Sequence, residues 1–123
     1  MRVIVVDDSV VIRDRLVTML AGVPDVDVVG VFGSADAALG AMVKLAADLL
    51  ILDVRLPGRS GLEAIPDMRR LAPSCEVVVF TNFPFERYRS RCLEAGAAHF
   101  LDKSKDFLEL CRLVQDRAAS IPP

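Results

Sequence analysis

The chain has 123 residues, of which 53% are hydrophobic and 26% charged, and its formal net charge is −2. These values predict one globular domain, residues 1–123, and exclude a disordered chain. A small negative net charge argues against the basic surface of a nucleic-acid-binding domain. No apolar run approaches the ~20 residues that span a bilayer. The first residues show no signal-peptide pattern, so we expect a cytosolic protein that contacts neither nucleic acid nor a membrane.

Five strand-like runs alternate with five helix-like segments along the chain. The strand-like runs are RVIVV (2–6), VDVVGVF (26–32), DLLIL (48–52), EVVVF (76–80) and AHFL (98–101). The helical patterns lie near 9–21, 34–46, 60–72, 84–95 and 104–119. Strict alternation at this spacing predicts right-handed βαβ units, and therefore an α/β fold with a parallel sheet and helices on both faces.

Local signals mark several helix ends. Ser60 and Glu63 form a capping box, so a helix should begin there, and Pro66 inside it predicts a kink or a late start. Pro84 suits a first helical position, and Gly96 suits the left-handed cap that ends the same helix. In the last helix, the face predicted to be core consists of Phe107, Leu110, Cys111, Val114, Ala118 and Ile121.

The three cysteines and the single histidine offer no metal or disulfide pattern. Cys75, Cys92 and Cys111 are odd in number and lack a C-x-x-C spacing. We therefore interpret them as buried small hydrophobic residues in a reducing compartment. His99 has no sequence partners for a metal and is interpreted as structural.

Polar residues follow four of the predicted strands. Asp7 and Asp8 directly follow the apolar run VIVV (3–6), and Asp53 follows the third strand. Thr81 follows the fourth strand, and Lys103 comes after the fifth. An Asp after a strand is usually a turn former or a helix cap. However, ligands of an open α/β sheet bind outside the carboxyl ends of its strands, and joint placement of these groups on one edge is hard to obtain by chance.

Three carboxylates close together favour the binding of a cation. They repel by up to ~4 kcal/mol per pair at ~4 Å and an effective dielectric near ~20. Mg²⁺ relieves such repulsion, since it takes one or two carboxylates together with water and a phosphate oxygen. Lys103 adds the countercharge for an incoming anion. The pattern predicts phosphoryl transfer onto a carboxylate, which gives an acyl phosphate.

Four segments resemble the receiver domain of bacterial two-component response regulators. They are VVDDS (5–9), ILDVRLPGRSG (51–61), VVVFTN (77–82) and HFLDKS (99–104). The resemblance covers essentially the whole chain and implies a flavodoxin-like five-stranded parallel sheet of order 2-1-3-4-5. It implies a signalling switch that catalyses only its own phosphorylation and dephosphorylation, and no other enzymatic reaction. Its partners would be a sensor histidine kinase or histidine phosphotransfer protein, and a downstream protein or a second copy of the chain.

The resemblance also implies roles for the acidic residues. Asp53 would be the phosphoacceptor. Asp8 would bind Mg²⁺ directly and Asp7 mainly through water, with the backbone carbonyl of Arg55 as a further ligand.

Further roles follow for the residues near the fourth and fifth strands. Thr81 would bond the phosphoryl group, Lys103 would pair with it, and Phe100 matches the switch aromatic. The output would appear on the face made by the fourth helix, the fifth strand and the fifth helix. On helical wheels, the residues expected on that face are Arg87, Arg91 and Leu113.

Some positions depart from the commonest receiver pattern. Ser104 replaces the frequent proline after the lysine, so we expect a trans bond there. Asn82 follows Thr81 where a smaller residue is usual, and Pro84 tightens the loop beyond it. Arg55, Asn82 and Phe83 would flank the approach of water to an aspartyl phosphate. Since Arg55 and Phe83 cannot accept a proton from water, we expect slow self-dephosphorylation.

Two other classes of protein share parts of this pattern. A haloacid-dehalogenase-type phosphohydrolase needs an Asp-x-Asp pair and usually a cap, whereas Asp7 and Asp8 are adjacent and no insertion is long enough for a cap. A flavodoxin-type electron carrier needs a polar phosphate loop after the first strand, and DDSVVIR (7–13) would repel that phosphate. The switch is the favoured hypothesis, either as a whole regulator or as the receiver of a longer one.

Overall fold

The computed structural model describes residues 1–83 and 86–121, in which strands and helices alternate. The strands are β1 (Arg2–Val6), β2 (Asp27–Phe32), β3 (Leu49–Leu52), β4 (Glu76–Thr81) and β5 (His99–Asp102). The helices are α1 (Val10–Ala21), α2 (Ala35–Leu45), α3 (Gly61–Leu71), α4 (Glu86–Ala95) and α5 (Phe107–Ser120). No helix within these residues is long and apolar enough to cross a membrane.

The strands form one parallel sheet of order β2-β1-β3-β4-β5. This confirms the predicted fold class and strand order. Val6 pairs with Leu52, and the amide of Asp53 donates to the carbonyl of Val6 over 3.0 Å. Asp7 and Asp53 therefore emerge side by side from the two central strands.

The sheet buries apolar side chains on both faces, because successive strand residues point to opposite sides. Under α2, α3 and α4 the buried strand residues are Ile4, Val6, Leu50, Leu52, Val77 and Val79. Under α1 and α5 they are Val3, Val5, Leu49, Ile51, Val78 and Phe80. A fully buried Leu or Ile contributes about 1.5–3 kcal/mol, so the central strands provide a rigid base for the residues that follow them.

Serine caps fix the starts of the first three helices. Ser9, Ser34 and Ser60 each accept a hydrogen bond from the amide three residues later. Ser60 also donates to Glu63 Oε1 over 3.2 Å, which confirms the predicted capping pair. Gly96 follows α4 with a φ of 120°, as predicted for the residue that ends that helix.

Two other helix starts differ from expectations. Residues 61–71 form one helix with Pro66 inside it, so of the two predicted effects of Pro66, a kink or a late start, the late start is excluded. The last helix begins at Phe107 and not near 104, since residues 103–106 form a hydrogen-bonded turn. Pro84 and its predicted helical position lie outside the described residues.

The last helix buries less than the sequence pattern predicted. Leu110, Val114 and Ala118 are buried, but Phe107 and Cys111 are half-buried. Ile121 follows the last helical residue with extended backbone and is exposed, so it no longer continues the helical face.

Cys75 and Cys92 are buried, as predicted, and burial raises the pKa of each thiol to about 11. His99 is exposed at the start of β5, and its Nε2 lies 3.7 Å from Glu76 Oε1.

Candidate functional site

Three carboxylates meet at the carboxyl ends of β1 and β3. One oxygen from each of Asp7, Asp8 and Asp53 lies within 4.8 Å of the others. Asp7 and Asp53 are buried, with 2% and 6% of their surface exposed, whereas Asp8 is exposed. The sheet topology predicted this cluster, because parallel strands end at a common edge.

Backbone amides hold the two buried carboxylates in place. Asp7 Oδ1 accepts from the amide of Ser9 over 2.9 Å, and Asp53 Oδ1 accepts from the amide of Arg55 over 3.4 Å. Each contact links an Asp to the amide two residues later, as in an Asx turn. The second oxygen of each carboxylate points to a shared partner.

That partner is Lys103, whose side chain is 6% exposed. Its Nζ lies 2.5 Å from Asp7 Oδ2 and 2.7 Å from Asp53 Oδ2. Burial raises the pKa of Asp7, and the hydrogen bond from Lys103 offsets this only in part. Burial by itself would lower the pKa of Lys103, but its bonds to Asp53 and Asp7 prevail and raise it. A single cation beside the three-Asp cluster leaves an excess of negative charge when all three carboxylates are ionised.

Thr81 ends β4 and is fully buried. Its Oγ1 accepts from the amide of Phe83 over 3.2 Å, and its carbonyl accepts from the amide of Lys103 over 2.9 Å. Phe100 is half-buried on β5 and packs against the core beneath α2, α3 and α4. The residue predicted to be the switch aromatic is thus neither fully buried nor free in solvent.

Arg55 lies in the loop after β3, and Phe83 lies in the loop after β4. The guanidinium carbon of Arg55 lies 4.7 Å from the centroid of the Phe83 ring, in a cation–π contact. Asn82 is exposed beside them. Two of the three side chains predicted to flank the approach of water, Arg55 and Phe83, therefore contact each other.

Comparison with known proteins decides which class this site belongs to. A model of the response regulator receiver domain matches residues 3–115. The chain belongs to this family. Of the three classes of protein that the sequence left open, the match selects the receiver domain.

Individual relatives agree with this assignment. The chain is 33% identical to the response regulator GacA of Pseudomonas viridiflava over 114 residues, which cover 93% of this chain and 53% of that protein. It is also 33% identical to the DNA-binding transcriptional activator DevR/DosR of Mycobacterium tuberculosis, covering 96% and 54%. The signal receiver domain of NarL from Mycobacterium tuberculosis superimposes with a TM-score of 0.87 and 29% identity, covering 98% and 97%. The chain spans about half the length of the curated GacA and DevR/DosR relatives it matches.

Two residues beside this site were missed from the sequence. Gly61 begins α3 directly against the backbone of Asp53, and its amide donates to the carbonyl of Val54 over 2.7 Å. A Cβ at this position would lie 2.9 Å from the carbonyl carbon of Asp53, and closer still to its oxygen. Asp102 is buried at the end of β5, and hydrogen bonds from Ser104 hold its pKa below the usual range. The Asp-x-Ser spacing of DKS (102–104) was the available signal for Asp102.

The residues predicted for the output face lie away from the carboxylate cluster. Arg87 and Arg91 are exposed on α4, and the Arg87 guanidinium stacks 5.2 Å from the centroid of the Tyr88 ring. Leu113 is half-buried against the core under α1 and α5, which corrects the expectation that it turns away from the core. The exposed leucine of α5 is Leu108, with 62% of its surface accessible.

Proposed function

We propose that this receiver is a phosphorylation-driven switch in which Asp53 accepts a phosphoryl group from a sensor histidine kinase or a histidine phosphotransfer protein. The observation that carries the proposal is the buried Asp7–Lys103–Asp53 cluster with exposed Asp8 beside it. Membership of the receiver family supports it. The chemistry would be limited to the chain's own phosphorylation and dephosphorylation.

The donor set fits Mg²⁺. Three carboxylate oxygens within 4.8 Å of one another are the hard ligands that this ion prefers. Asp7, Asp8 and Asp53 would hold it, with the carbonyl of Arg55 as a further ligand. When bound, Mg²⁺ neutralises negative charge on the carboxylates and on the phosphoryl oxygens.

The chain's own groups account for the remaining requirements. An oxygen of Asp53 attacks phosphorus, and the bond from phosphorus to the donor's leaving atom breaks. The Lys103 ammonium already touches Asp53 Oδ2, so it is placed to pair with a phosphoryl oxygen on the same carboxylate. Its raised pKa keeps it charged for that task.

Thr81 connects this chemistry to a movement of the chain. Its hydroxyl oxygen accepts from the amide of Phe83 in this structure. A hydroxyl that turns to bond the phosphoryl group gives up that contact, so the loop after β4 loses one of its anchors. We propose that this change, with a new rotamer of Phe100, alters the α4–β5–α5 face.

The primary test is labelling by a small-molecule phosphodonor with and without Mg²⁺. Wild type should be labelled only when Mg²⁺ is present, and Asp53→Asn should not be labelled. Asp116→Asn is the matched control, because it makes the same change at an exposed carboxylate of α5. Labelling of Asp53→Asn at the wild-type rate would show that Asp53 is not the phosphoacceptor.

We propose that the phosphorylated receiver binds a downstream protein or a second copy of the chain, and that it does so in the cytosol. DevR/DosR is by name a DNA-binding activator, but this receiver carries a net charge of −2 and we assign it no nucleic-acid contact. Exchanging the exposed Arg87 and Arg91 for alanine together should weaken a phosphorylation-dependent complex. A complex that is unaffected by both changes removes this surface from consideration.

A further inference from the structure

The ammonium of Lys103 is buried, although its backbone belongs to neither a helix nor a strand. The chain has three lysines, Lys44, Lys103 and Lys105, all within the described residues, and the other two are exposed. Of these three, only Lys103 has its ammonium buried between carboxylates, yet it belongs to the irregular segment 103–106 between β5 and α5. A long side chain loses rotamer freedom when it is fixed, so a loose segment would favour release of the ammonium.

The carboxylate of Asp102 closes this segment from one side. Its Oδ1 accepts two hydrogen bonds from the same residue, from the Ser104 amide over 2.8 Å and from the Ser104 hydroxyl over 2.7 Å. Asp102 is 8% exposed whereas Ser104 is exposed, so these bonds lie at the edge of the buried region. Both bonds pass over Lys103, the residue between their ends.

Asp106 closes the segment from the other side. Its Oδ2 accepts from the amide of Asp102 over 2.9 Å, and its own amide donates to the carbonyl of Asp102 over 2.8 Å. This carboxylate makes no capping bond to α5, because it is engaged here. The amide of Lys103 meanwhile donates to the carbonyl of Thr81. The backbone of Lys103 is thus fixed to β4 and enclosed by a closed turn.

We infer that Asp102 and Ser104 are positioning residues for Lys103. They hold its backbone where the ammonium reaches Asp7 and Asp53 together. The inference rests on the proposed function only for the task of the ammonium, since the placement is a property of the unphosphorylated chain.

The test reports on the ammonium directly. Protein labelled with ¹⁵N at the lysine Nζ gives one signal for each lysine, and Lys103→Arg assigns that of Lys103. In wild type, the ammonium protons of Lys103 should exchange with water more slowly than those of Lys44 and Lys105. Ser104→Ala removes one charge-assisted bond and should accelerate this exchange about tenfold, without changing the two exposed lysines.

Two variants keep the test independent of a general loss of stability. Ser104→Thr retains the hydroxyl and should restore slow exchange. Ser120→Ala makes the same deletion at the far end of α5, where the hydroxyl donates to the carbonyl of Arg117, and should leave Lys103 unchanged. Asp102→Ala should exceed the effect of Ser104→Ala, and if it does not fold, the Ser104 pair decides alone.

Wild-type exchange at Lys103 in Ser104→Ala, or equal acceleration in Ser120→Ala, overturns the inference. Phosphodonor labelling of the same variants separates this result from the proposed function. If Asp53→Asn is still labelled while Ser104→Ala accelerates exchange, the proposed phosphoacceptor is wrong and the positioning role stands.

Discussion

Replacing Gly61 by alanine should lower the free energy of unfolding, because the start of α3 lies directly against the backbone of Asp53. The new Cβ would lie 2.9 Å from the carbonyl carbon of Asp53 and 3.1 Å from Val54 Cα, and nearer still to the carbonyl oxygen. All three are backbone atoms, so no side chain can turn away to make room. Overpacking of a tight site typically costs about 1–3 kcal/mol, and we expect at least the upper part of this range.

The assay is urea unfolding of Gly61→Ala beside Gly40→Ala. Gly40 lies inside α2, and no atom of the described residues would come within 4 Å of a methyl group added there. Its replacement should therefore stabilise the protein by about 0.5–1 kcal/mol through helix propensity alone. The two alanine variants should differ by about 3 kcal/mol or more. If Gly61→Ala is as stable as wild type, the start of α3 is not held against Asp53 as described.

Three further outcomes are expected. Asp8→Ala should abolish Mg²⁺ binding in a titration of the unphosphorylated protein, since it removes the exposed carboxylate of the cluster; a wild-type titration curve would refute this ligand assignment. The double variant Arg55→Asn, Phe83→Glu loses a cation–π contact of about 0.5–1 kcal/mol and admits water to the proposed phosphorylation site. Phosphorylated, labelled protein should therefore lose its label several-fold faster than wild type once the donor is removed. An unchanged rate would show that these side chains do not set the lifetime of the aspartyl phosphate. The pKa of Asp102 is lowered in the folded state, so its carboxylate stabilises the fold at pH values above its unfolded-state pKa, and this contribution is lost as the pH falls through the folded-state pKa. The difference in free energy of unfolding between wild type and Asp102→Asn should therefore shrink on acidification. A constant difference in urea unfolding across pH would contradict this expectation.

Much of this site could be predicted from the sequence because parallel strands deliver their last residues to a common edge. Asp7 and Asp53 follow apolar runs whose ends could be read directly, and the topology then placed the two carboxylates together. The position of Lys103 depended on the same reasoning, although its two carboxylate partners are set by tertiary structure.

The features that were missed depend on contacts between segments distant in the chain or on where an element ends. The clash at Gly61 involves the approach of α3 to the backbone of Asp53, which no periodicity reports. Asp102 was left out because the fifth strand was predicted to stop at residue 101, one residue too early. Leu113 was misplaced because a helical wheel of α5 alone does not show which core residues from other elements cover each side of the helix.

The contact between Arg69 and Gly96 bears on how α4 can move. A side chain at Gly96 would collide with Arg69 Cγ, and the Arg69 guanidinium donates to the carbonyl of Cys75 over 2.6 Å. The final turn of α4 therefore abuts a fixed arginine, while Cys92 anchors the same end in the core. A helix of 10 residues is about 15 Å long, so a rotation of about 10° about this end would carry its first turn by about 2.6 Å. Gly96 is thus the pivot that the fold favours for the proposed change of the α4–β5–α5 face, and the first turn of α4, which follows β4 at the carboxyl edge of the sheet, would be displaced furthest.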